Sequence, residues 1–235
     1  MYVREVIDPG DPAIEAFGRI QRAAYFEPGS LIPPEWFGRL LADQGSARRN
    51  FFVVAEEDDS HAVLGGTIFH YLAAADSGFS SFMGVDRAAR GRGIARALHR
   101  ERFTLLNRAA GHDIPGVFID VVNPARMEPH ELEADRAAGM DSVARLPIFQ
   151  QLGFGRVDIR YEQPVGGPGG GPVTKLDLLY CPQQQADTVP TELVMRTMCA
   201  YWTPWMGKKQ ASYFARELEQ RANGRRTLLL LPPVP

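Results

Sequence analysis

Apolar residues along the chain alternate between two periods. Val3, Val6 and Ile7 form a short β-prone run that Asp8, Pro9 and Gly10 stop. Residues 12–26 place Ile14, Phe17, Ile20 and Ala24 three or four apart, the spacing of one helical face. Pro33 and Pro34 open a second helical stretch to about Leu41, since proline is tolerated in a first turn. Residues 51–55, 62–72 and 79–85 read as successive strands, the first two parted by the charged turn 56–60. From Gly93 to Ala110 the period becomes helical, and Gly111 is placed to end it. The run GVFIDVV at 116–122 is again strand-like.

A charged stretch, 124–141, follows. Residues 143–152 predict a short helix ended by Gly153, and 154–163 and 173–180 predict two further strands. Between those strands lies a Gly/Pro-rich loop, 165–172, whose composition cannot pack a core and predicts mobility. Residues 185–235 carry two helical patterns, 190–202 and 209–223, and a short TLLLL tail. This order predicts one α/β sheet domain over residues 1–181, with a helical extension over 182–235.

Composition removes several classes. A chain of 235 residues, 45% hydrophobic, buries a real core and is not disordered. Its 26 basic and 28 acidic residues give no global attraction to nucleic acid or an anionic membrane. Cys181 and Cys199 make no disulfide framework, which points to a reducing, cytoplasmic setting. The opening MYVREVIDPGDP has no apolar targeting core, and the longest aliphatic run, 228–231, is far below the ~20 residues that span a bilayer. A soluble protein is the expectation.

The chemistry concentrates in SFMGVDRAARGRGIARALHRE, residues 81–101. A strand ends near Val85, a polar turn follows, and Arg90-Gly91-Arg92-Gly93-Ile94-Ala95 opens a helix. Glycines let main-chain amides approach a ligand, and a helix N-terminus presents unpaired N–H groups and positive potential, so this turn suits a pyrophosphate. Seven arginines between Arg87 and Arg108 add to that field. A P-loop is excluded because its Gly-Lys-Ser/Thr ending is missing. A dinucleotide fingerprint is disfavoured because Arg96 stands where its third glycine belongs, and because the turn comes late among the strands.

Arg90-x-x-Gly93-x-Ala95 does resemble the Q/R-x-x-G-x-G/A signature of the GNAT superfamily of acetyl-CoA-dependent N-acyltransferases. Ile148-Phe149-Gln150-Gln151-Leu152-Gly153-Phe154 resembles that superfamily's second signature, F-Y-E-K-L-G-F. Both occur in the family's order over roughly residues 1–181. The resemblance implies a mixed, mostly antiparallel sheet of about six to seven strands, flanked by helices and splayed between its fourth and fifth strands. Acetyl-CoA would lie in that opening, its pantetheine amides pairing with the main chain of Met83 and Val85. The amides of Arg90, Gly91, Arg92, Gly93, Ile94 and Ala95 would hold its pyrophosphate. An N–H of the fourth strand near Gly84 or Val85 would meet the oxyanion. No metal is implied.

One family feature is missing. The position that often carries a proton-donating tyrosine is Phe149, which can pack on the thioester end but has no proton to give. Tyr161 and Cys181 are conceivable substitutes, or the thiolate leaves unprotonated. Asp120 interrupts an apolar fifth strand beside the splay, where it could be the general base, an anchor for the substrate amine, or a paired structural carboxylate. Asn123 could bond the cofactor or cap the next segment. His70 reads as a half-exposed strand residue. The inserted flap 124–141 would border the acceptor site and, being acidic, would suit a cationic amine. The apolar stripe Leu193, Met195, Met198, Tyr201, Trp202, Trp205 and Met206, with Cys199, reads as core or a homodimer interface.

The leading expectation is direct acetyl transfer from acetyl-CoA to a small-molecule amine or another amino group. The alternatives are a catalytically weak CoA-binding or regulatory module, and a transferase for a longer acyl-CoA. The arginine cluster has its use in one cofactor site, so no nucleic-acid or membrane partner is expected.

Overall fold

The computed structural model describes residues 1–24, 34–139 and 141–233. Residues 25–26 of the first expected helix, Pro33 of the second and Met140 of the flap lie outside them. β1 (Tyr2–Val6), β2 (Arg48–Glu56), β3 (Val63–Leu72) and β4 (Ser77–Val85) pair antiparallel in succession. β5 (Gly116–Val122) runs parallel to β4, β7 (Leu176–Pro182) lies antiparallel to β5, and β6 (Gly155–Val157) pairs with β7. β8 (Thr188–Pro190) and β9 (Thr227–Leu231) complete the order β1-β2-β3-β4-β5-β7-β6-β9-β8.

Nine strands replace the expected six to seven. A strand of three residues has no readable period, and β8 meets β9 only because the intervening helix folds the chain back. β9 in turn covers the outer edge of β6, an edge that would otherwise offer unpaired main-chain groups. β6 is also shorter than the predicted 154–163. The Ile159 N–H donates to the Val157 carbonyl at 2.7 Å, a tight turn that ends the ladder and sends Ile159 and Tyr161 into the core.

β2, β3 and β7 are buried on both faces, which is why β2 reads as a continuous apolar run. Phe52 and Val54 pack with Phe17 and Phe37 of α1 (Pro12–Ala24) and α2 (Pro34–Ala42). Phe51, Val53, Phe69 and Val117 pack on the opposite face with Leu98 and Leu105 of α3 (Ile94–Ala110), joined by Phe149 of α5 (Ser142–Gln151). Each such buried side chain contributes about 1.5–3 kcal/mol. Gly65 permits the close fit of α3 over β3, because a Cβ there would meet the Gly84 carbonyl at 2.7 Å and Ile94 at 3.2 Å.

The remaining large helix, α6 (Thr191–Arg221), packs over β4, β5 and β7 on the α1 side. Met195, Met198, Tyr201 and Trp202 are buried there beside Val194 and with Phe79, Phe118, Leu178 and Tyr180, so these four members of the stripe are core. Trp205 stays 43% exposed. The two predicted helical patterns meet at a kink at Gly207 (φ 78°), shortly after Pro204. The flap contains α4 (Pro129–Ala137), opened by a capping box between Glu128 and Glu131. No helix among the described residues is long and apolar enough to cross a membrane.

Candidate active site

The ladder between β4 and β5 runs through Gly78–Val117 and Phe79–Phe118 and goes no further among the described residues. Beyond that row the strands diverge. The edge of β4 from Ser80 to Val85 therefore faces an opening, and Met83 and Val85 lie along it, partly buried against the α3-side core. A register shift places Ile68 opposite Phe82 and Phe69 opposite Ser80, so Ser81 is the extra residue of a bulge.

The N-terminus of α3 opens just after β4. Gly93 occupies its N-cap position at φ 78° with no side-chain cap, and Gly91 sits at φ 80°. The first amides of the helix have no intrahelical acceptor. A Cβ at Gly91 or Gly93 would meet nothing within 4 Å, so both glycines are set by backbone conformation and border open space. Ile94 is buried beneath the turn and Ala95 half-buried. The motif's arginine side chains brace this cradle. Arg92 makes a two-pronged pair with Glu57 at 2.9 Å, and Arg90 donates to the Gly139 carbonyl at 2.6 Å at the end of the flap.

On the α6 side of the opening, Asp120 accepts a hydrogen bond from the Tyr161 hydroxyl at 3.0 Å. Asp120 keeps part of its surface open, yet protein packs closely around its carboxyl. That desolvation pushes its pKa up to about 6, against the Tyr161 hydroxyl, which favours the carboxylate. Tyr161 is fully buried and stacks on Trp202 at 6.3 Å, and burial first, then Asp120's charge, holds its hydroxyl well above the ordinary value. Tyr201 stacks on Phe79 at 3.6 Å and contacts Ser81 Oγ at 3.1 Å. His70 lies between Ser81 Oγ (2.7 Å) and Asn50 Oδ1 (2.8 Å) and is completely buried, not half-exposed as its strand position predicts. The cause is α6, which covers that face of β3 and β4.

Phe149 and Cys181 lie on the other face. Phe149 meets Phe154 edge to face at 6.2 Å. Cys181 is buried near His99 Nε2 (3.6 Å), and burial pushes its thiol up to about 11. The same desolvation, with Arg102 beside it, brings His99 down to about 3. Arg102 is itself buried, donating to Thr67 Oγ1 at 3.0 Å, and burial lowers its pKa to about 9. A protonated thiol beside a neutral imidazole is a packing cluster and not an activated nucleophile.

Asn123 caps the turn 124–126 through the Ala125 N–H at 2.9 Å and donates to Asp177 at 2.9 Å, so its amide is engaged at both ends. Three carboxylates of the acidic flap are engaged by residues that follow it in the chain. Glu131 binds Lys175 at 2.5 Å, Asp135 is buried on the Ser142 N–H at 2.5 Å, and Asp141 caps α5. The Gly/Pro loop is closed by the Gln163–Val173 bridge and a Gly167 N–H to Gly171 carbonyl bond at 2.9 Å. A cavity of about 720 Å³ lies elsewhere, under α1 between Tyr2, Arg4, Glu56 and His61. Arg4 is engaged there by Asp11 and Glu56, and Tyr2 by Glu56 and His61, so the splay and not this cavity holds the groups suited to chemistry.

No protein-family model and no curated protein matches the chain. Solved structures do. A GNAT-family putative acetyltransferase from Bacteroides thetaiotaomicron aligns with a TM-score of 0.56 at 12% identity, over 88% of this chain and 99% of that one. An aminoglycoside 6'-N-acetyltransferase complexed with coenzyme A aligns at 0.51 and 13% identity, over 79% and 99%. Ard1 from Thermoplasma volcanium aligns at 0.51 and 15% identity, over 78% and 98%. The chain has the GNAT fold. Within that fold the glycine-arginine turn and the Phe149 helix both stand on the α3 side of the splay, while Asp120 and Tyr161 stand on the α6 side. Sequence reasoning missed the part played by Ser81, Asn50 and Tyr201. No local signal marks them, because β2, β4 and α6 bring them together from 150 residues of chain.

Proposed function

We propose that this chain is an acyltransferase that moves the acetyl group of acetyl-CoA to an amine by direct attack in a ternary complex. The observation that carries the reading is the uncapped, glycine-shaped N-terminus of α3 at the mouth of the β4–β5 splay. Its support is that a protein of the same fold, the aminoglycoside acetyltransferase, is complexed with coenzyme A. In this reading Arg90 to Ala95 hold the pyrophosphate through their amides, and the free edge of β4 at Met83 and Val85 pairs with the pantetheine. The thioester supplies the acyl group. Asp120 takes the proton that the attacking amine must lose. A carboxyl titrating at about 6 is ionised at neutral pH and is a stronger base than an ordinary aspartate. Phe149 borders the thioester end and gives no proton, so the thiolate leaves as such; a thiol reference pKa of about 8.5 tolerates that. The unpaired thiols Cys181 and Cys199 accord with a reducing cytosol.

Phe149 also favours a second reading, a CoA-binding module with little turnover. Calorimetric titration with coenzyme A, then thiol release from acetyl-CoA and longer acyl-CoAs with a panel of amines, separates them. Release with an amine supports the transferase, and binding without release supports the module. Absence of coenzyme binding overturns both.

A further inference from the structure

On the α6 side of the splay, a run of hydrogen bonds fixes its own protons one by one. Asn50 Nδ2 donates to the carbonyls of Leu40 (2.9 Å) and Asp43 (2.7 Å), so its Oδ1 faces His70 as an acceptor. Arg48 Nε donates to the same oxygen at 2.9 Å. His70 Nδ1 must then carry the imidazole proton, leaving Nε2 bare. Ser81 has one proton, and at 2.7 Å it goes to Nε2. The Tyr201 hydroxyl, 3.1 Å from Ser81 Oγ, is therefore the donor in that contact. Ser81 Oγ is left able to accept and unable to donate.

Its position matters. Phe79–Phe118 is the last paired row of β4 and β5; Ser81 and Asp120 stand two residues further along each strand. Both reach partners on the α6 face, Tyr201 and Tyr161, and both remain partly open. They flank the splay on one side, offering lone pairs and no protons.

Ser81, His70 and Asn50 have the shape of a nucleophile, base and orienter. The electrostatics say otherwise. An imidazolium at His70 would be buried beside a neutral amide and the Arg48 guanidinium, and desolvation followed by that charge holds it well below its usual pKa. A histidine that cannot keep a proton does not activate a serine.

We propose that Ser81 and Asp120 form a seat for the N–H groups of a primary ammonium, with His70, Asn50 and Tyr201 as the positioning residues that lock the Ser81 proton away. Its use rests on the acyltransferase reading, since it names the class of amine that this site takes. The test titrates n-butylammonium chloride and tetramethylammonium chloride into the full chain and follows the His70 ring-nitrogen resonances. A saturable shift with n-butylammonium and none with tetramethylammonium is expected. Ser81→Ala should weaken the response about tenfold, and Ser81→Thr, which keeps the hydroxyl, should stay within about twofold of the parent. Asp120→Asn, which leaves the hydrogen-bond run intact, should weaken it as well. Equal responses to the two salts, or unchanged binding in Ser81→Ala, overturns the seat. So does an acetyl adduct on Ser81 after incubation with acetyl-CoA, which would make it the nucleophile. Coenzyme titration distinguishes the failures. Coenzyme binding without n-butylammonium binding removes the seat alone; the reverse removes the acyltransferase reading alone.

Discussion

The two sides of the splay are built by different means. The α3 side is made of main-chain amides from one unbroken turn, with glycines at φ 80° and 78° and side chains that brace it from outside. The α6 side is made of side chains, Asp120, Tyr161, Ser81, His70 and Tyr201, contributed by distant elements and held by burial. A main-chain cradle needs local conformation and little else. A side-chain seat needs the whole core in place before any of its groups is oriented. The first should tolerate damage to α6 packing, and the second should not.

Trp202→Ala is the largest expected effect. It removes a side chain 1% exposed in the α6 core and should cost about 3–5 kcal/mol of stability, read by denaturant unfolding. If the folded fraction keeps its coenzyme affinity while losing acceptor turnover, the division between the two sides stands. If both fall together, it fails.

Asp120→Asn comes next, with an expected thousandfold loss of turnover, on the order of 4 kcal/mol, and unchanged coenzyme affinity. In the parent, kcat/KM should fall as pH drops through about 6, where the carboxylate is protonated. The same shift has a stability consequence of opposite sense. A carboxyl raised from 3.8 to about 6 contributes stability below its unfolded pKa that is lost as pH rises through its folded one. Asp120→Asn should therefore be more stable than the parent at pH 8, by up to about 2 kcal/mol after allowance for its open side, and equal at pH 3. A parent more stable at pH 8 would contradict the burial of this carboxyl.

Gly93→Asp tests the other side. Aspartate tolerates the left-handed backbone at modest cost but places a negative charge where the pyrophosphate would sit. Coenzyme affinity should fall about a hundredfold by calorimetry, near 2.7 kcal/mol. An unchanged affinity would move the cofactor elsewhere. The smallest effect is Glu131→Ala. Because Lys175 already neutralises that carboxylate, the acceptor KM should change less than about twofold. A larger rise would place Glu131 of the acidic flap in the amine site.

Much of the frame was legible from residue order alone. The helical period from Gly93, the glycine stop at Gly111 and the apolar run of β5 are local patterns, and α3 and β5 follow them. The glycine turn that opens α3 was legible for the same reason, since a helix N-terminus with two glycines is specified within six residues. Asp120 was legible as a polar residue out of place in an apolar strand. β8 and β9 were not, because three to five residues carry no period and their pairing depends on where α6 turns back. His70 was misjudged because its burial comes from a helix that begins more than a hundred residues later.

By itself, then, the sequence determined the local elements, the sheet class and the main-chain cradle, because each depends on backbone conformation that neighbouring residues set. Tertiary structure alone decided the α6 side of the splay: the burial of His70, the lifted pKa of Asp120 and the direction of the Ser81 proton. Those properties depend on desolvation and on partners placed by packing, and neither is a property of any stretch of chain taken alone.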